Sequence, residues 1–153
     1  MTPDDLLDVA RDLARRDAGR PRSVSLRRAA SSAYYARFHV LAYLCADELV
    51  GWRQPSTVFT PVYRSLEHTR ARSVLNTSRQ KTSREPTLAA IALTFEALQD
   101  ARHDADYNPE PFPFSRSGTL ELIDTAAQAI AALRALPAEQ KLALAVRLVV
   151  KTR

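Results

Sequence analysis

Apolar residues recur every three or four positions through most of the chain, and short polar stretches carrying the glycines and prolines interrupt them. That spacing places them on one face of successive α-helices. A first helix is predicted from about Asp4 to Ala18, with Thr2 as N-cap, Pro3 at the first helical position and Leu6, Val9, Ala10 and Leu13 as the apolar stripe. Asp4 and Asp5 face its positive end. The second helix, about Val24 to Leu49, is the longest. Its apolar positions (Leu26, Ala30, Ala33, Tyr34, Phe38, Leu41, Leu44, Cys45, Leu49) and its small residues Ala29, Ala33 and Ala36 predict a central helix buried on more than one side.

After the loop "GWRQPS", a third helix is expected from Pro61 to Leu75, with Val62, Leu66 and Val74 inward. The polar run "NTSRQKTSREPT" is predicted to be a flexible connection. A fourth helix runs from Pro86 or Thr87 to about Asp106 and turns Leu88, Ile91, Ala92, Phe95, Leu98 and Ala101 or Ala105 inward. "YNPEPFPF" cannot continue it, because proline lacks the N–H donor and clashes with the preceding turn. A fifth helix spans Ser117 to Leu136 through Leu120, Ile123, Ala126 or Ala127, Ile130 and Leu133. Pro137 then opens a short, strongly apolar final helix, so that residues 137–153 are expected to pack on the bundle or on a second copy of the chain.

Composition narrows this picture. With 153 residues and only three glycines, Gly19, Gly51 and Gly118, all between helical patterns, the chain reads as one all-α domain over residues 1–153. The single cysteine, Cys45, lies in an apolar helical pattern, which precludes an intrachain disulfide and reads as a buried small hydrophobe. The start, "MTPDDLLDVARDLARR", has no uninterrupted apolar core, and no stretch approaches the roughly 20 apolar residues of a membrane span. Neither a secretory signal nor a membrane association is expected, and the expected location is the cytoplasm. The net charge of +5 permits an anionic partner. His39, His68 and His103 are widely separated, with no paired metal-ligand spacing, so no metal site and no cofactor are predicted.

The densest polar chemistry lies in "ALQDARHDADYNPEPFPF", residues 97–114. Arg102 and Asp106 stand four residues apart, a common surface ion pair worth a few tenths of a kcal/mol, and the residues alone also fit a solvated helix end. Tyr35 and His39 lie one turn apart and either satisfy neighbouring groups inside the bundle or line a cleft beside Arg102. Residues 62–85 hold Arg64, Arg70, Arg72, Arg79, Lys81 and Arg84 against Glu67 and Glu85. That excess suits contact with a nucleic-acid backbone or a solvated loop.

"SLRRAASSAYYARFHVLAYL" in the second helix, followed by "ARHDADYNP" at the end of the fourth, resembles the HEPN superfamily. The likeness is closest to small stand-alone members with an "AYYA-FH" helix and a later "R-x-x-A-D-Y" segment. It covers about Ser25–Leu44 and Ala101–Pro109. The resemblance implies an antiparallel bundle of about five to six helices that commonly dimerises. It also implies a metal-independent ribonuclease signature in which an arginine and a following polar residue precede a histidine. Arg102 matches the arginine and His103 the polar residue, while Tyr107 stands where the histidine could be; Arg102, His103 and Tyr107 are therefore the candidate catalytic residues. Tyr35, His39 and Asp106 are the candidate cleft-lining residues.

Arginine suits phosphate charge, and imidazole suits proton transfer near neutrality. A phenol, with an ordinary pKa of about 10, exchanges protons poorly at pH 7, though it can position a phosphate. The resemblance thus implies a homodimeric RNA- or nucleotide-binding protein with weakened or no catalysis. It would serve as an accessory or toxin-like component of a toxin–antitoxin or defence system, with a nucleotidyltransferase-type antitoxin as one partner. A ribonuclease using Arg102 with His103 or Tyr107, and a purely structural interaction module, are the alternatives.

Overall fold

The computed structural model describes residues 1–81 and 86–151, with residues 78–81 and 86 by their backbone only. Among these it has seven α-helices and no strand: α1 Pro3–Arg15, α2 Ser23–Leu49, α3 Ser56–Arg64, α4 His68–Lys81, α5 Pro86–Tyr107, α6 Arg116–Arg134 and α7 Ala138–Val149. The chain is an all-α helical bundle.

The axis of the bundle is α2, against which α1, α3, α5, α6 and α7 all pack. Its alanines explain how one helix takes so many neighbours. Ala29, Ala30, Ala33, Ala36 and Ala46 are fully buried and let backbones approach closely, while Leu26, Leu41 and Leu44 fill the remaining space. Cys45 is buried among them, and burial pushes its thiol up to about 12, as fits a packing residue. The core continues through Ile91, Phe95 and Leu98 of α5 and Ile123, Ile130 and Leu133 of α6.

The N-terminal cap forms as the sequence requires. Asp5 N–H donates to Thr2 Oγ1 and Thr2 N–H donates to the Asp5 carboxylate, a reciprocal box at the start of α1. The stripe of α1 is rotated from expectation, with Leu7, Ala10 and Ala14 facing the core and Val9 47% exposed.

The expected third helix is two helices. α3 begins one turn earlier than predicted, carries Pro61 inside it, and ends where Ser65 N–H and Oγ both return to the Val62 carbonyl. Leu66 is buried at the break, and α4 starts at His68. The break raises the count from the expected five or six helices to seven. The first half of the expected flexible connection, Asn76–Lys81, continues α4 as helix, and residues 82–85 lie outside the described residues.

At the far end, α7 buries Leu144, Ala145 and Leu148 against the bundle, and Leu142, Val146 and Val150 stay exposed. Phe112 folds back onto the core, its ring 5.3 Å from that of Phe114. No helix among the described residues is long and apolar enough to cross a membrane. No group of three or more His, Cys, Asp or Glu among them is placed to hold a metal ion.

Candidate functional site

The C-terminal end of α5 is pinned to α2 by an arginine. Arg27 Nη1 donates to the carbonyls of Asp104 (2.8 Å), Ala105 (3.1 Å) and Asn108 (2.8 Å), and its Nη2 donates to Glu110. The Asp104 carbonyl also accepts the Asn108 N–H at 3.3 Å, and the guanidinium adds further donors at the helix end, whose negative terminus it complements. The ring of Phe112 lies 5.5 Å from the same guanidinium. The last two turns of α5, which hold Arg102, Asp106 and Tyr107, are thereby fixed beside the N-terminal half of α2.

On α2, Arg28, Ser31, Tyr35 and His39 follow one another at three- and four-residue spacing and form a polar stripe on an otherwise apolar helix. Arg102 reaches this stripe. Its Nη2 donates to Tyr35 Oη at 2.9 Å and more distantly to Tyr107 Oη at 3.4 Å. Its Nε lies 3.1 Å from Asp106 Oδ2, an ion pair by distance whose angle falls short of a hydrogen bond. Ser31 Oγ donates to the same carboxylate oxygen at 3.3 Å. The rings of Tyr34, Tyr35 and Tyr107 stand 5.3–5.6 Å from the Arg102 guanidinium carbon, within cation–π range.

These contacts fix both the charge and the direction of Arg102. Burial opposes the charged guanidinium, but the Tyr35 hydrogen bond, with Tyr35, Tyr107 and Asp106 nearby, outweighs it, so its pKa is raised. The Arg102 side chain keeps 15% of its accessible surface and lines a cleft of about 390 Å³ between α2 and the end of α5. Arg27, Arg28, Ser31, Tyr35, Asp106 and Tyr107 also line it.

Of the predicted site residues, Arg102, Tyr35, Asp106 and Tyr107 meet in this cleft. His103 does not line it; it is exposed on the outer side of α5, its ring 5.4 Å from that of Tyr107. Successive helical residues diverge by about 100°, which accounts for the separation. His39 lies one turn further along the stripe, in an adjoining depression of about 250 Å³ that shares Arg28, Ser31 and Tyr35 with the cleft. Its Nδ1 is 2.5 Å from Tyr63 Oη of α3. Burial lowers the His39 pKa and raises that of Tyr63.

The predicted basic segment is largely engaged in holding the bundle together. Arg70 Nη2 donates to the carbonyls of Arg147 (2.9 Å) and Val150 (3.2 Å) at the end of α7. Arg72 pairs with Asp100 (2.9 Å) and Glu96 (3.7 Å) of α5. Arg64 is exposed at the end of α3. The backbone of Arg79 and Lys81 lies in the last turns of α4 but their side chains are not among those described, and Arg84 lies outside the described residues altogether.

Two groups near the site escaped the sequence reading. His68, at the first position of α4, places Nδ1 2.5 Å from the hydroxyl of fully buried Tyr34 and stacks on Phe38 with centroids 4.0 Å apart. Burial, then the charge of Arg102 and then His39, lower its pKa. Burial raises that of Tyr34. The sequence showed His68 only among arginines; nothing in it tied this residue to Tyr34 across 34 positions. Ser31 was visible in retrospect, since it continues the polar stripe one turn before Tyr35.

No family model matches the chain, and comparison with curated proteins and with solved structures returns no match.

Proposed function

We propose that this chain is an HEPN-like, nucleic-acid-associated protein whose α2–α5 cleft binds RNA or a nucleotide, with little or no catalysis. One observation carries the reading. Arg102 is held charged in a cleft by two phenols and a carboxylate, and no imidazole is among the residues lining that cleft. A fixed guanidinium is matched to phosphate oxygens in charge and geometry. Cleavage of RNA at neutral pH also needs a group that exchanges protons readily, and imidazole is the usual one. The role of an accessory or toxin-like component with an antitoxin partner rests on the resemblance of the α2 and α5 segments to HEPN proteins, as does dimerisation. Exposed Val24, Tyr43, Trp52 and Val58 provide apolar surface for a second copy.

The ribonuclease reading keeps one favourable observation, the His103 ring beside Tyr107. A metal-free gel assay on a labelled single-stranded RNA separates the two. The proposal expects binding with weak or absent cleavage. Robust cleavage lost on Arg102→Ala would establish the ribonuclease instead, and robust cleavage that survives Arg102→Ala would remove Arg102 from the chemistry altogether. Light scattering should give twice 17.1 kDa, and a monomer at high concentration would refute the dimer.

A further inference from the structure

Arg28 differs from the other arginines around the cleft in that nothing holds it. Arg27 spends its donors on backbone carbonyls, and Arg102 spends Nη2 on two phenols. Arg28 makes no hydrogen bond or ion pair with any described residue. It is exposed and lines both the Arg102 cleft and the adjoining depression. It stands one turn before Ser31 and two before Tyr35, at the head of the polar stripe. Three arginines and a single aspartate line the cleft, and that aspartate already faces Arg102. The field there is therefore positive and strongest where no acid answers it.

The opposite wall supplies a different chemistry. Tyr107 lines the cleft and is 63% exposed as a residue, although the Arg102 guanidinium and His103 both flank its ring. Its backbone is fixed by the Arg27 clamp on the end of α5. An anion-receptive wall facing a fixed, accessible aromatic ring suits a ligand that is negative at one end and flat and aromatic at the other. The volume of about 390 Å³ lies at the small end of ligand sites and suits one such unit. A hollow of about 600 Å³ near Tyr63 offers no comparable contrast, since Asp4, Asp47 and Glu48 line it together with Arg134 and Lys141.

Building on the nucleotide-binding reading above, we propose that the cleft takes a single nucleoside phosphate. Arg28 captures the phosphate together with the Nη1 edge of Arg102, which makes no hydrogen bond among the described residues, and the base stacks on Tyr107. Arg28 is then the residue that makes the cleft a phosphate site, while Arg102 is its fixed floor. A free nucleotide and one unit of a single strand present the same chemistry.

The test uses the full chain. AMP, adenosine and inorganic phosphate are titrated calorimetrically, and a labelled oligoadenylate is followed by fluorescence anisotropy. Wild type should bind AMP more tightly than either fragment of it. Arg28→Gln should weaken AMP and oligoadenylate about tenfold or more, the scale of one charge-assisted hydrogen bond, and Arg28→Lys should recover part of the loss. Tyr107→Leu should weaken AMP and adenosine but leave inorganic phosphate unchanged. Affinity that rises with strand length assigns the site to a unit of RNA; equal affinity for AMP and the oligomer assigns it to a free nucleotide. Oligomer binding that falls on Arg102→Ala but not on Arg28→Gln would overturn the assignment of Arg28 and leave the nucleic-acid reading standing. Absence of all binding by wild type at millimolar ligand would overturn both. Arg28 makes no hydrogen bond or ion pair with a described residue, so a melting curve unchanged from wild type accompanies the loss expected for Arg28→Gln.

Discussion

Arg37 and Arg102 both lie against aromatic rings, and they are held in opposite ways. Arg37, on the core side of α2, is fully buried, with its guanidinium carbon 4.9 Å from the Phe95 centroid and one hydrogen bond, from Nη2 to the Ile91 carbonyl. Its Nε and Nη1 have no hydrogen-bond partner among the described residues, and burial pushes its pKa down to about 9. Arg102 has a carboxylate and two hydroxyls close to its guanidinium, and its pKa is raised. The core tolerates the first charge at a cost, because desolvation of an ion is repaid only by good partners. The surroundings of Arg102 favour the charge and leave part of it facing a cleft. The difference separates an arginine that fills space from one equipped to meet an anion.

The largest expected effect bears on what the Arg102 site lacks. Tyr107→His places an imidazole where the cleft has a phenol. If Arg102 is already positioned, cleavage of RNA without metal should appear or rise by a factor of about 10² to 10⁴, and Arg102→Ala on that background should abolish it. No gain in a gel assay, with RNA binding intact, would show that the geometry of the cleft does not suit proton transfer.

A smaller effect is expected at the other arginine. Arg37→Met keeps most of the volume while removing a charge with no acidic partner among the described residues; apolar replacement of even paired buried charges is often neutral or stabilises by about 1–4 kcal/mol. Thermal melting should show a midpoint equal to or several degrees above wild type. A drop of several degrees would mean that the Ile91 hydrogen bond and the Phe95 contact outweigh desolvation.

The smallest effect sharpens the comparison through His68. Burial and then the Arg102 charge hold its pKa below the ordinary value, so the folded chain binds fewer protons than the unfolded one as pH falls through about 6.5. The stability linked to this imidazole is full above that pH. It is lost as pH falls from there through the lowered folded value. NMR titration should show the His68 pKa rising in Arg102→Ala and unmoved in Arg37→Met; equal values in all three proteins would remove the coupling to Arg102.

Much of the fold could be read from the sequence because it rests on local pattern. The spacing of Leu88, Ile91, Phe95 and Leu98 and the cap at Thr2 act within a few residues, and both appear as expected. The α3–α4 break was harder to read. Pro61 looked like a helix start, whereas its fixed φ is accommodated inside α3 and the chain turns only at Ser65–Glu67. The site was legible in part. "AYYARFH" and "RHDADY" each point to a helix face, and the structure brings Tyr35, Arg102, Asp106 and Tyr107 to one cleft. What remained hidden is non-local: Tyr63 meeting His39, His68 meeting Tyr34, and Arg70 and Arg72 spent on α7 and α5. No spacing rule encodes a contact between helices whose order of packing is not yet known.

The most direct test of the contrast between the two arginines is the affinity of wild type, Arg102→Ala and Arg37→Met for one labelled single-stranded RNA, measured by anisotropy alongside a melting curve for each. Loss of a charged hydrogen-bonding group at the cleft corresponds to about 1.5–3 kcal/mol, or roughly 10- to 150-fold in Kd. Arg102→Ala should therefore lose that much affinity with little change in melting, while Arg37→Met should bind like wild type. Equal affinity in all three proteins, or a loss confined to Arg37→Met, would contradict the account.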